Sequence, residues 1–482
     1  MQLSRRDVLG SSLALLVGGA AAAPASGQEN TYGAAPTGLG LTTGLARFLS
    51  EIRYEDLPPA AVHEAKRAVL DWIGCALAGS SHPTVTVLLE AFADLGSAPV
   101  ATVLGRRGHR LSLLDAPVAN GQMGHVLDFD DTHLGGVILH TSTATLPALF
   151  ALGEWRRLAG RDVIVALAAA FEAGIRVGQA ATSHHLGGWH LTGTLGTVAA
   201  AAGSARLLGL NAQQTTFALG IACTQAAGMQ QNRGSDCKSL HAGKSAYHGV
   251  LASMLASKGF NSSPEILEGN LGFTRVFSAT QQNGAITAGL GRTWMITGNG
   301  YKPYACGVVL HPLIDAMIDV SRKAGQPATN VAGVVVRVHP DVIRITGIDV
   351  PSTGLMSKFS ANHAAAVAYI DQAAGVAQFT DARSADAPVQ ALRKLIQITP
   401  DPSFRLDQAA AVMRTRSGTT IETQIAHAIG TTANPMSDQS LREKFILNAT
   451  PAIGADQARR IIDLTGKLDT LAEIGELVRA CV

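Results

Sequence analysis

Residues 120–140 read NGQMGHVLDFDDTHLGGVILH. Asp128, Asp130, Asp131 and His133 fall within six positions, with His125 just before them and His140 just after. An apolar run, residues 144–152, follows at once. Acids and imidazoles this dense are costly to bury between apolar helices and out of place on a bland surface. Proton transfer is one use for them, because imidazole and carboxylate groups carry protons near neutral pH. A metal site is another, and a polar loop whose acids cap the next helix is a third.

Other stretches carry usable groups. GWHLTGTLG (188–196) sets His190 in a glycine- and threonine-rich turn just before a helix. Free N–H groups at a helix start bind carboxylates; His190 as an ordinary satisfied polar residue is the plainer reading. GSDCKSLHAGK (234–244) brings Lys238, His241 and Lys244 to the start of another helix. Lysines there oppose the helix dipole, so an anionic ligand would relieve them; solvated lysines are the alternative. YKPYAC (301–306) supplies Lys302, His311-Pro312 follows, and Lys358-Phe359-Ser360 comes later. The chain has no GxGxxG, Walker loop, HExxH or GxSxG elbow. His184-His185 with His190 lacks an acid at ligand spacing, which argues against a metal there.

These residues must be held by a large scaffold. The 482 residues exceed what one core usually holds, so two domains are expected. Apolar residues make up 47% and charged residues 15%, which suits a well-buried helical enzyme and argues against disorder. A net charge of +2 with no basic run gives no sign of nucleic-acid binding. Helical periodicity starts near residue 41, breaks at Pro58-Pro59, resumes over 60–77 and is clearest over 162–181 and 194–210. From about residue 295 the pattern changes. Residues 334–338 are a β-branched run, and 411–415 with 419–424 flank Ser417-Gly418 as a hairpin. A helix is expected over 361–374. The reading is mainly α, with a helical domain over 40–294 and 425–482 and an α+β domain over 295–424.

Ser4-Arg5-Arg6-Asp7-Val8-Leu9 is a twin-arginine pattern, followed by an apolar, glycine-broken stretch and small residues at 23–25. Residues 1–27 are therefore expected to be an export signal. The mature chain would be periplasmic or secreted, with no stable membrane association after cleavage. The five cysteines are widely spaced, with no CxxC, and form no disulfide framework.

Taken together, the sequence resembles the MmgE/PrpD family, which includes 2-methylcitrate dehydratase, cis-aconitate decarboxylase and iminodisuccinate epimerase. The resemblance runs from about residue 41 to the C-terminus. It is carried by NGQMGHVLDFDDTH, the later His140, GWHLTGTLGTVAAAAGSARLLGL, GSDCKSLHAGKSAYHGVLASMLASKGF, EILEGNLGF, KPYACGVVLHPLIDA, KFSANHA and NPMSDQSLREKF. It implies a helical domain with an inserted α+β lid, a homodimer, no cofactor, no metal, and a site in the cleft between the domains. Residue by residue, it puts the family's catalytic positions on Asp128, Thr132, His140 and His190. Its substrate-binding positions fall on Lys238, His241, Lys302 and His311. His140 is followed by Thr141-Ser142 where Pro-Ser is common, and KFS continues as Ala361-Asn362-His363.

The chemistry this implies is proton transfer at a carbon beside a carboxylate. Lys238, Lys302 and the helix start after His190 would hold the substrate's carboxylates; His140 or His190 would move the proton; Asp128 would orient the imidazole. The expected activity is a cofactor-independent lyase, a dehydratase or decarboxylase, acting on a small di- or tricarboxylate such as 2-methylcitrate or cis-aconitate. An isomerase or epimerase acting on a related dicarboxylate is the alternative. A metal-dependent hydrolase using Asp128, Asp130, His133 and His140, and a non-catalytic carboxylate binder, are the competing readings.

Overall fold

The computed structural model describes residues 37–482; the export signal expected over 1–27 lies outside them. Among the described residues the part before the lid begins with α1 (Leu41–Glu51), α2 (Pro59–Gly79), α3 (Pro83–Asp94), α4 (Asp115–Val126), α5 (Thr141–Arg156), α6 (Gly160–Ala180), α7 (Leu191–Leu207), α8 (Ala212–Cys223) and α9 (Asp236–Ser257). A two-stranded pair, β1 (Ala101–Thr102) and β2 (Arg110–Leu111), lies between α3 and α4. The short α10 (Phe273–Phe277) closes this part.

α7 lies at the centre, packed against α5, α6, α8 and α9. Its sequence, LTGTLGTVAAAAGSARL, is small or apolar all round, as a helix surrounded by others must be. α6 alone among the described helices is long and apolar enough to cross a membrane, and it too is buried inside the protein. Small residues let the helix axes approach closely. α4 and α9 cross backbone to backbone at Gly121 and Gly243: a Cβ on Gly121 would sit 2.4 Å from the Gly243 Cα, and one on Gly243 would sit 2.3 Å from the Val118 carbonyl oxygen. Those clashes are with main chain, which cannot swing aside. Gly243→Ala is expected to lower the unfolding midpoint and to reduce kcat/KM, since α4 and α9 carry groups on both sides of the site; a thermal melt and steady-state kinetics check it.

The second unit of structure is a mixed sheet. β5 (Val331–Val338) pairs in parallel with β6 (Ile396–Pro400) and antiparallel with β7 (Ala409–Thr415), which turns at Gly418 (φ 91°) into β8 (Thr420–Ile425). The strand and the hairpin are those the sequence predicts. Val334, Val336 and Val338 of β5 point into a core shared with α11 (His311–Ala324) and α14 (Ala361–Asp371), while Val335 and Arg337 face outward. This is the alternation of a sheet covered on one face. Short helices α12 (Pro340–Thr346), α13 (Gly354–Ser357), α15 (Asp381–Ala385) and α16 (Ala387–Arg393) link these parts. The tail then forms α17 (Asp438–Ile453), α18 (Ala455–Gly466) and α19 (Gly475–Ala480). α17 packs on α2, and Phe445, Ile461 and Leu477 join the helical core. A strand pair, β3 (Thr132–His133) with β4 (Asn299–Gly300), stitches the acidic loop to the start of the lid.

Candidate active site

The loop after α4 is bent by Asp128, which holds a left-handed backbone (φ 51°). Few residues without glycine's freedom adopt that region; aspartate is among the better tolerated. The bend sends neighbouring carboxylates in different directions. Asp128 forms a close ion pair with Lys302 and stands 3.4 Å from the Lys238 ammonium. Burial opposes its ionisation, but the two lysines outweigh that and hold its carboxyl well below the usual range. Asp130 faces imidazoles: its carboxylate is 2.9 Å from His125 Nδ1 and 3.3 Å from His140 Nδ1. Asp131 turns to neutral donors, accepting from Ser142 Oγ and Asn299 Nδ2. Burial and neighbouring Asp71 push Asp131 well above the carboxylate range, against the pull of the Ser142 and Asn299 donors.

Four imidazoles stand in a row. The His125 ring lies 4.6 Å from that of His140 and 5.8 Å from that of His190, and His190 lies 5.1 Å from His241. His190 and His241 share one hydrogen bond between their Nδ1 atoms at 2.9 Å. His140 Nδ1 also lies 3.0 Å from the Asp131 carbonyl and 3.1 Å from Thr132 Oγ1, which places its ring proton on Nδ1. Burial drives His125 down to about 3 and His241 to about 4, and holds His190 well below its ordinary value.

The structure thus brings Asp128, Thr132, His140, His190, Lys238, His241 and Lys302 into one cluster. Their partners differ from the sequence expectation in two places. Asp128 orients lysines, and Asp130 orients the imidazoles, because the left-handed turn puts alternate carboxylates on opposite sides. Lys302, expected to hold substrate, donates to Asp128 twice and to the Cys306 carbonyl. His311 is not in the imidazole row: it sits at the start of α11, near Lys302, where its ring hydrogen-bonds the backbone of Cys306 and packs edge-on to Tyr304. It lines a mostly apolar cavity of about 410 Å³ with Val308, Leu406 and Ile429, which Thr132 and Lys302 of the cluster also border. His125 is assigned no role by the sequence expectation, although it sits in the same motif as His140. Its Nε2 is buried without a partner, and it lines a cavity of about 10 Å³ with Asp128, Lys238, Ser239, Lys358 and Phe359. That space holds roughly one water molecule. No imidazole of the row lines the larger cavity, whereas the smaller one joins His125 to Asp128 and Lys238 and so marks the site.

The metal set read from sequence is not assembled, because His133 turns both ring nitrogens to the Val137 and Met295 carbonyls. His125, Asp130 and His140 do bring ligand atoms within 4.8 Å of one another. Their carboxylate, however, lies at hydrogen-bond distance from two ring nitrogens, and cationic lysines stand at Asp128 next to it.

The MmgE/PrpD N-terminal domain matches residues 43–285 and the C-terminal domain matches residues 304–470. The chain belongs to the MmgE/PrpD family. It is 29% identical over 470 residues to the cis-aconitate decarboxylase-like protein oryM of Aspergillus oryzae, covering 91% of this chain and 96% of that protein. It is 27% identical to the cis-aconitate decarboxylase of Aspergillus terreus (91% and 95% covered) and 26% identical to that of Mus musculus (91% and 93%). Family and relatives together support enzyme activity of the lyase type.

The buried imidazoles also set a pH dependence of stability. Folding lowers His125 and His311 to about 3, and His133 and His184 to about 4, from an ordinary 6.5, chiefly by burial. Below 6.5 the unfolded chain takes up protons that the folded chain refuses. Each such group therefore contributes about 1.4 kcal/mol of destabilisation per pH unit as pH falls from 6.5 toward its folded value. The unfolding midpoint is expected to drop steeply between pH 6.5 and 4 and to be insensitive to these groups above 7. Denaturant titrations at stepped pH check it.

Proposed function

We propose that this protein is a cofactor-independent lyase that removes carbon dioxide from a small tricarboxylate, with cis-aconitate as the first candidate. One observation carries the reading. A single buried carboxylate, Asp130, holds the Nδ1 atoms of His125 and His140, and His125 presents an unpartnered Nε2 to a cavity that also contains the Lys238 ammonium.

That geometry suits proton transfer beside a carboxylate. Among the described residues Lys238 is held only by its 3.4 Å ion pair with Asp128, so it can take a substrate carboxylate. The bond from a CH2 carbon to the departing carboxylate breaks, and its electron pair forms the new double bond. The old double bond's electrons move to the carbon beside a second carboxylate. That carbon takes a proton from the His140 imidazole in its positive form, beside the Asp130 carboxylate. The lysine offsets charge that grows on the retained carboxylate. Loss of water or inversion at the carbon would use the same groups, and the isomerase reading differs only in what leaves.

The test is incubation with cis-aconitate, 2-methylcitrate and related acids in heavy water. Carbon dioxide release with one deuterium in the product is expected from cis-aconitate. Deuterium exchange into a dicarboxylate without loss of any group would favour the isomerase. Failure to exchange or convert any acid would refute the reading. Lys238→Ala is expected to raise KM by about tenfold or more, the worth of a charge-assisted hydrogen bond. Export through the twin-arginine segment and a homodimer belong to the same proposal; periplasmic fractionation and light scattering test them.

A further inference from the structure

Three successive carbonyls of the acidic loop are each held by a buried lysine from a different part of the chain. Lys358, at the end of α13, donates to the Leu127 carbonyl at 2.7 Å. Lys302, after β4, donates to the Asp128 carbonyl at 3.1 Å. Lys444, in α17, donates to the Phe129 carbonyl at 2.6 Å. An ammonium has three N–H donors, so the remaining partners decide what each lysine can still do. Lys302 gives its other two to the Asp128 carboxylate and the Cys306 carbonyl, the latter at 3.1 Å, and has none left. Lys444 pairs with Asp71 at 2.7 Å and lies over the Phe129 ring, away from the cavity. Lys358 has one other carbonyl partner, Ala305 at 2.7 Å, which leaves one N–H uncommitted among the described residues. It also lines the small cavity with His125, Asp128 and Lys238.

We propose that Lys358 is the second cation that anchors substrate carboxylate in this site, together with Lys238, and that Lys302 is a fixed partner of Asp128 that positions it. The assignment rests on the carboxylate reading above. Two cations with free donors on one cavity suit an acid with more than two carboxylates: two are held and one faces the imidazole row. Lys358 also joins the two domains. Its carbonyl partners are Leu127, at the end of α4, and Ala305, in the lid, so it is seated only when the lid lies against the loop.

The cavity holds about one water molecule, so a carboxylic acid enters only if the walls at residues 234–239 and 355–359 part. Parting them withdraws Lys358 from Leu127, and a substrate carboxylate can then take that place.

Binding of two unreactive acids, tricarballylate and glutarate, distinguishes an anchor from a strut. Wild-type protein is expected to prefer the tricarboxylate. In Lys358→Met that preference falls about tenfold, the worth of one charge-assisted hydrogen bond, and Lys358→Arg restores most of it. A merely structural lysine would lower the thermal midpoint and weaken both acids equally; an unchanged ratio in Lys358→Met overturns the assignment. So does a Lys302→Met protein in which the ratio collapses while Lys358→Met keeps it. If wild-type protein binds neither acid, the carboxylate reading itself fails, and the assignment with it.

Discussion

Asp130→Asn is expected to lower kcat by about 10³–10⁴-fold with little change in KM, the scale seen when an imidazole loses the carboxylate that fixes its tautomer. Asparagine keeps the shape, so the effect isolates the charge. Asp130 accepts from His125 and leans on His140, and an amide there can donate a hydrogen to one ring. That would force the ring proton onto Nε2, the nitrogen left free at the cavity on His125. Substrate is held by Lys238 and Lys358, which pair with Asp128 and with main-chain carbonyls rather than with Asp130, so binding is spared. A variant that keeps kcat within tenfold of wild type would remove Asp130 from the mechanism. Solvent deuterium exchange should fall in parallel with turnover, because both need the same proton carrier.

Lys302→Met is expected to be among the most destabilising single changes in the protein, costing about 3–5 kcal/mol, as is usual when one partner of a buried ion pair is removed. Lys302 is 1% exposed and serves three acceptors. Methionine fills the space but leaves the Asp128 carbonyl without its donor, the Cys306 carbonyl with only the His311 ring, and Asp128 with only the more distant Lys238. The unfolding midpoint in urea, followed by tryptophan fluorescence, reads the loss. A midpoint within experimental scatter of wild type would show that the pair is not needed. The depressed Asp128 carboxyl adds a signature. Its stabilising contribution is complete above the ordinary carboxylate value and is lost as pH falls through the lower folded value, so the difference between variant and wild type should shrink in strong acid.

Much of this site is legible in the chain because the acids and imidazoles are clustered. Density alone points to residues 125–140, and the glycine- and lysine-bearing turns near 190 and 238 follow from helix-start chemistry. Pairing is not legible there. Spacing gives no sign that Asp128 takes a left-handed backbone, yet that one torsion sends it to lysines and Asp130 to imidazoles. Lys358 and Lys444 lie more than 200 residues from the loop they hold, so local pattern marks Lys358 only as a usable group and gives Lys444 no role. The hairpin around Gly418 and strand β5 are legible because their signals are local. His133 shows the opposite failure: it sits at a suggestive spacing, but the strand pairing of Thr132 and His133 with β4 turns its ring onto main-chain carbonyls.

The glycine contact between α4 and α9 has a consequence for how such a protein can diversify. With no side-chain layer between these helices at Gly121 and Gly243, the imidazole-bearing and lysine-bearing halves of the site behave as one fixed gauge. New substrate preference has little room to arise there. It is freer to arise on the wall at Leu355 and Phe359, which faces that gauge from the lid and can be recut without disturbing it.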